Sequence, residues 1–217
     1  MRTRGLVTFE AATMYVCASS YRRSARERLA AGIGGGAAGD VQGAAAPNGG
    51  ALIAEFSQSP PARRLRRLLD PEADGEVWVR SDGYGVRRQL GRHQVLTTHD
   101  RQARMLADLQ ETWRSGVAVV HEDHPARVQR ATELWRGLLA AAAPVRGASG
   151  LCLPLPAGPL AEIAVNGAGH LGISARVRRT TTQFCVVSVD SHVHVLRLMQ
   201  LMRQSTGHAP ADLRGTT

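Results

Sequence analysis

"AEIAVNGAGHLGISARVRR", residues 161–179, is the stretch whose reading decides the fold. Taken as strands, 161–165 and 171–179 flank Asn166-Gly167, a strong short-range hairpin signal. In the second arm Leu171, Ile173, Ala175 and Val177 alternate with Gly172, Ser174, Arg176 and Arg178. That period of two suits a sheet with one buried face and one face displaying arginine. "FCVVSV", 184–189, is a continuous apolar run suited to a central strand. The last third therefore reads as antiparallel sheet, closed by a helix in which Val195, Leu198, Met199 and Met202 recur at helical spacing before Gly207.

Upstream, the same two periods alternate. Residues 76–90 read as a first hairpin, "EVWVR" and "VRRQL" around Asp82-Gly83, with "HQVLTT" as a third strand. Ser59 is placed to cap a helix whose first turn tolerates Pro60 and Pro61, with Leu65, Leu68 and Leu69 on one face. The four arginines of "ARRLRRLL" then face water or an anion. Met105, Leu106, Leu109 and Trp113 make the stripe of a helix over 99–115 that Gly116 ends, and "VAVV", 117–120, reads as a short strand. Pro125 opens another helix, carrying Val128, Ala131, Trp135, Leu138 and Leu139 up to Pro144. Residues 145–159 read as a loop or subdomain boundary. The expected class is α+β: antiparallel hairpins packed against three or four amphipathic helices over residues 51–217. Residues 1–50 are expected to be a flexible segment, because the Gly/Ala-rich stretch 30–50 cannot pack a core.

Composition narrows the chemistry. All 27 basic side chains are arginine, against 18 acids, for a net charge of +9. Without lysine there is no Schiff-base amine and no P-loop lysine. Arginine favours bidentate contact with phosphate or carboxylate, so anionic partners are expected. The basicity is regional. Residues 99–143 balance six arginines with six acids, whereas 171–217 carry six against two. Arg176, Arg178 and Arg179, with Arg87 and Arg88 on the first hairpin, form the candidate nucleic-acid face. Cys17, Cys152 and Cys185 are scattered and form no C-x-x-C pair, which points away from a disulfide framework or zinc ribbon and toward a reducing, cytoplasmic or similar compartment. Glu10 interrupts the apolar N-terminal stretch that would otherwise suggest a signal peptide, and no apolar run reaches membrane-spanning length. No cofactor is expected. Gly34, Gly36 and Gly39 spell G-x-G-x-x-G but follow the helical "RRSARERLAA" where a dinucleotide site needs a strand.

"VVSVDSHVHV", 186–195, resembles the first strand of amidohydrolases, in which H-x-H ends a barrel strand and begins a metal site. The resemblance implies a metal hydrolase, but its remaining ligands come from downstream barrel strands and only 23 residues follow His194. Two ordinary readings remain: a helix capped by Asp190 or Ser191, or a tight turn with both histidines on a returning strand. The metal alternative would gather His121, His124, His192 and His194 around one ion, with Glu122 or Asp190 as base. "HEDH", 121–124, lacks the i, i+4 spacing of H-E-x-x-H, and Pro125 turns His124 away from helix. Ser149 and Cys152 lack any nucleophile signature. Three functions follow. The first is a non-enzymatic module binding nucleic acid or another polyanion; the second is an assembly subunit using the C-terminal helix toward a protein partner or a second copy; the third is a small metal-dependent hydrolase.

Overall fold

The computed structural model describes residues 7–30, 50–82, 91–121, 125–142, 144–147, 150–179 and 184–203. Its elements are α1 (Phe9–Ala30), β1 (Ala51–Phe56), α2 (Ser59–Leu69), β2 (Val77–Asp82), β3 (Arg92–Thr97), α3 (His99–His121), α4 (Arg127–Ala141), β4 (Val145–Gly147), β5 (Gly150–Pro156), α5 (Pro159–His170), β6 (Arg176–Arg179), β7 (Phe184–Val189) and α6 (His192–Arg203). The class is α+β, as the alternation of periods implied.

One arrangement occurs twice. The first sheet has the order β1-β3-β2, and three strands of the second repeat it as β5-β7-β6, with β4 added outside β5. All pairs are antiparallel. Helices repeat with them: α1 and α4 lead, α2 and α5 follow the first shared strand, and α3 and α6 close each half. Ala51 meets Thr97 at the end of β3 just as Leu151 meets Val189 at the end of β7, so residues from β1 through α2 match those one hundred positions later.

The halves meet where α1 packs along α4. Gly137 makes that approach possible, since a Cβ there would stand 2.7 Å from Thr13 Cβ and 2.8 Å from the Glu10 carbonyl oxygen. α1 also packs on α3, β1 and β5, and Phe9, Ala11, Ala12, Met14 and Cys17 are buried. A helix enclosed on several sides has no polar face to advertise it. This corrects the expected flexible segment where α1 stands, since residues 9–30 are helical and Phe9 to Ala18 supply core side chains; 31–49 lie outside the described residues. Trp135 is fully buried and donates its indole N–H to the Ala164 carbonyl at 3.1 Å, satisfying its polar end inside the core.

Further expectations differ from the structure. Residues 159–170 are helix α5, so Asn166-Gly167 is mid-helix and the arginine strand β6 pairs with β7. "VAVV" continues α3; Gly116 does not end that helix but lies against the Phe9 ring, and Val120 is buried. "EVWVR" pairs with "HQVLTT" as β2 and β3, while "VRRQL" lies outside the described residues. Residues 145–156 form strands inside the second half, and Ser59 begins α2 with Gln58 before it as a cap residue that makes no side-chain cap bond. "FCVVSV" is an interior strand, and α6 runs as the apolar spacing implied, with Leu198 buried.

Candidate nucleic-acid interface

Strand alternation gives each sheet two unlike faces. In the second sheet Leu151, Leu153, Leu155, Cys185, Val187 and Val189 are all buried on one face. The opposite face presents Cys152, Ser188 and Arg176 in one row, then Pro154, Val186 and Arg178 in the next. Arg176 is exposed and has no ionic or hydrogen-bonding partner among the described residues. Arg178 is 67% exposed and stands 3.6 Å from Asp190, itself 44% exposed. An ion pair so open to water is worth at most about 1 kcal/mol and yields readily to another anion.

The first sheet repeats the geometry but neutralises it. Its corresponding face carries Leu52, Leu96 and Trp78, then Glu55, Gln94 and Arg80, with Arg92 beside Asp82. Arg80 pairs with Asp82 at 3.0 Å, and Arg92 pairs with Glu55 at 2.7 Å. Gln94 adds a bond to the same Glu55 carboxylate at 3.2 Å. Equivalent faces thus differ in available charge: on the second sheet Arg176 has no partner among the described residues and Arg178 has a longer, more exposed pair than Arg80 or Arg92. Sequence reading missed Arg80 and Arg92, although the alternation of "ALIAEF" and "HQVLTT" was there to place them.

Of the predicted binding residues, Arg176 and Arg178 share one face, and Arg179 closes β6 opposite Cys185. Arg87 and Arg88 lie outside the described residues. Among the described residues, His121, His192 and His194 are not grouped to hold a metal ion. His192 and His194 lie in the first turn of α6, where His194 Nδ1 accepts the Ser174 backbone N–H at 3.1 Å. His121 ends α3 beside Asn166, and Asp190 meets Arg178; His124 and Glu122 are outside the described residues. Among the described residues no three His, Cys, Asp or Glu side chains are grouped to hold a metal ion. Cys17 is buried behind the second sheet, and burial pushes its thiol up to about 12. Burial also raises the Tyr21 phenol, helped by the neighbouring Cys17 and Cys185, and its hydroxyl donates to the Pro154 carbonyl. These are core groups. No helix among the described residues is long and apolar enough to cross a membrane.

No protein-family description and no curated protein matches the sequence. Solved structures do match the fold. The crystal structure of I-DmoI in complex with DNA and manganese is similar at 10% identity, covering 91% of this chain and 99% of that one, with a TM-score of 0.52. Mesophilic variants of the homing endonuclease I-DmoI match at 10% identity, 91% and 97% coverage and a TM-score of 0.51. I-DmoI with DNA and calcium matches at 11% identity, 90% of each chain and a TM-score of 0.50. At these identities the likeness shows a shared fold.

Proposed function

We propose that this chain is a non-enzymatic nucleic-acid-binding module that lays the open face of its second sheet on DNA phosphates. The observation that carries the reading is the pair Arg176 and Arg178, two exposed guanidiniums on one sheet face, the first without a partner among the described residues and the second only loosely paired. Guanidinium groups suit phosphate oxygens in both charge and fork geometry. The proteins that share the fold include I-DmoI bound to DNA, which supports the choice of polyanion. Those complexes also contain manganese or calcium, so incubation with a divalent metal is the direct test of the non-enzymatic part.

The test is binding of a labelled duplex by fluorescence anisotropy over a salt series, beside incubation of plasmid DNA with magnesium or manganese. Binding should weaken steeply with salt, and Arg176→Ala/Arg178→Ala should flatten the log–log slope by about 2, at roughly 0.9 per phosphate contact. An unchanged slope would refute the assigned face. Cleavage by the purified protein that EDTA abolishes would refute the non-enzymatic part.

A second reading has its own observation. On α6, Val193 is 70% and Leu196 is 56% exposed, an apolar pair one turn apart. Such a patch favours an assembly contact with a protein partner or a second copy. Light scattering on the wild type and on Leu196→Glu tests it, because a wild type that is already monomeric removes the self-association version.

A further inference from the structure

A groove of about 600 Å³ lies between α2 and the outer edge of β2, lined by Arg63, Arg66, Arg67, Gly75, Val77, Trp78 and Val79. Its volume is in the range of small-ligand sites. α2 buries Pro61, Ala62 and Leu65 against the sheet, which turns its arginines outward. Arg63 and Arg67 are one helical turn apart, both exposed, and neither has a hydrogen-bonding or ionic partner among the described residues. Arg66 between them is fixed. Its Nε donates to the Val77 carbonyl at 3.2 Å and its Nη2 stands 3.7 Å from Asp70 Oδ2.

The acids nearby do not cancel this charge. Asp70 is spent on Arg66 and on the Asp74 backbone N–H, which donates to its Oδ1 at 3.0 Å. Glu76 pairs with Arg101, and Glu10 pairs with Arg64. Glu72 is exposed on the turn that Ala73 (φ 57°) and Gly75 (φ 79°) bend in the left-handed region. Asp74 is exposed on the same turn, and none of the described residues that line the groove beside the three arginines is a carboxylate. The Val77 carbonyl that Arg66 holds points to the free edge of β2, and by antiparallel alternation the backbone N–H groups of Val77 and Val79 face the same way. That edge offers backbone N–H donors beside the carbonyls of the same residues, and Arg66 already occupies the carbonyl of Val77.

Comparison with the second half shows that the fold does not require these arginines. The positions equivalent to Arg63 and Arg67 are Ile163 and Gly167, both buried, the latter against Leu134. We infer that the α2–β2 groove is a phosphate-binding site, in which Arg63 and Arg67 clasp a phosphate or pyrophosphate group from either side and Arg66, held by Val77 and Asp70, sets the floor. Such a group belongs to a free phosphorylated compound or to a nucleic-acid backbone that runs past the edge of the first sheet. Only the second source rests on the DNA-binding reading.

The experiment titrates the full chain with inorganic pyrophosphate by calorimetry, and separately with a short duplex by anisotropy. It uses wild type, Arg63→Ala/Arg67→Ala and Arg176→Ala/Arg178→Ala, with circular dichroism confirming that each variant is folded. Pyrophosphate binding that falls by roughly tenfold or more for each arginine removed from α2, while Arg176→Ala/Arg178→Ala leaves it unchanged, establishes a site for free phosphates. If pyrophosphate does not bind but the α2 variant weakens duplex binding, the phosphate comes from nucleic acid. If removing Arg63 and Arg67 changes neither titration, the inference is overturned. The DNA-binding reading fails separately, when the Arg176/Arg178 variant binds duplex as the wild type does.

Discussion

Replacing Gly137 by alanine should destabilise the protein even though alanine is the better helix former. In the interior of α4 the substitution gains about 1 kcal/mol from backbone propensity. Against this, the new methyl would stand 2.7 Å from Thr13 Cβ, 2.8 Å from the Glu10 carbonyl oxygen and 2.9 Å from Thr13 Cγ2. Carbon atoms in good contact lie roughly 3.5 to 4 Å apart, so α1 must withdraw by close to 1 Å. Thr13 cannot simply rotate aside, because its hydroxyl donates to the Phe9 carbonyl at 2.8 Å and the Glu10 oxygen is main chain. Overpacking of this kind costs about 1–3 kcal/mol, and rigid neighbours put it at the upper end. The net loss is then about 2 kcal/mol, or a fall in Tm of roughly 4–8 °C for a chain of this size. Gly169 is the control. It lies near the end of α5, where a Cβ would meet nothing within 4 Å, so Gly169→Ala should raise Tm by up to about 4 °C. Thermal unfolding followed by circular dichroism reads both. A Gly137→Ala protein as stable as wild type would refute the close α1–α4 approach and with it the way the halves join.

Other consequences follow from single groups. Ser188 Oγ is buried without a hydrogen-bond partner, so Ser188→Ala should leave stability unchanged or improve it by up to about 1 kcal/mol, as chemical denaturation would show. Cys152 is half-buried whereas Cys17 and Cys185 are buried, and the Cys17 thiol sits at about 12. At mildly alkaline pH one thiol per chain should react quickly with a disulfide reagent and the other two only on unfolding; fast reaction of all three would contradict the packing of α1. Trp135→Phe shrinks a fully buried bicyclic ring and loses the bond to Ala164, and should cost about 2–4 kcal/mol in the same denaturation assay.

The readable parts of the sequence were those where one local period matches one environment. "FCVVSV" is apolar but for Ser188 because β7 buries Cys185, Val187 and Val189 on one face and half-buries Phe184 and Val186 on the other, and α6 shows its buried stripe because it packs on one side only. The unreadable parts are those where several elements share one residue. α1 gave no amphipathic signal because α3, α4, β1 and β5 all pack on it. Asn166-Gly167 spells a turn, yet Gly167 is there to admit Leu134 and Asn166 reaches His121, so packing overrode the turn chemistry. The β-branched run before His121 stays helical, with Val120 buried and its carbonyl accepting from His170 at 2.7 Å.

For the candidate interface the division is similar. The sequence by itself determined that every basic side chain other than histidine is arginine, that residues 99–143 are neutral while 171–217 are basic, and that Arg176 and Arg178 fall on one side of a strand, because alternation is a local property of the backbone. Only the tertiary structure decided which arginines remain available. Glu55 is 37 residues from Arg92 and Glu10 is 54 from Arg64, so no local pattern shows that these charges cancel. The same long-range pairing assembles two like sheets from unlike sequences, leaving one face neutralised and the other open to an anion, since charge availability depends on neighbours that only folding brings together.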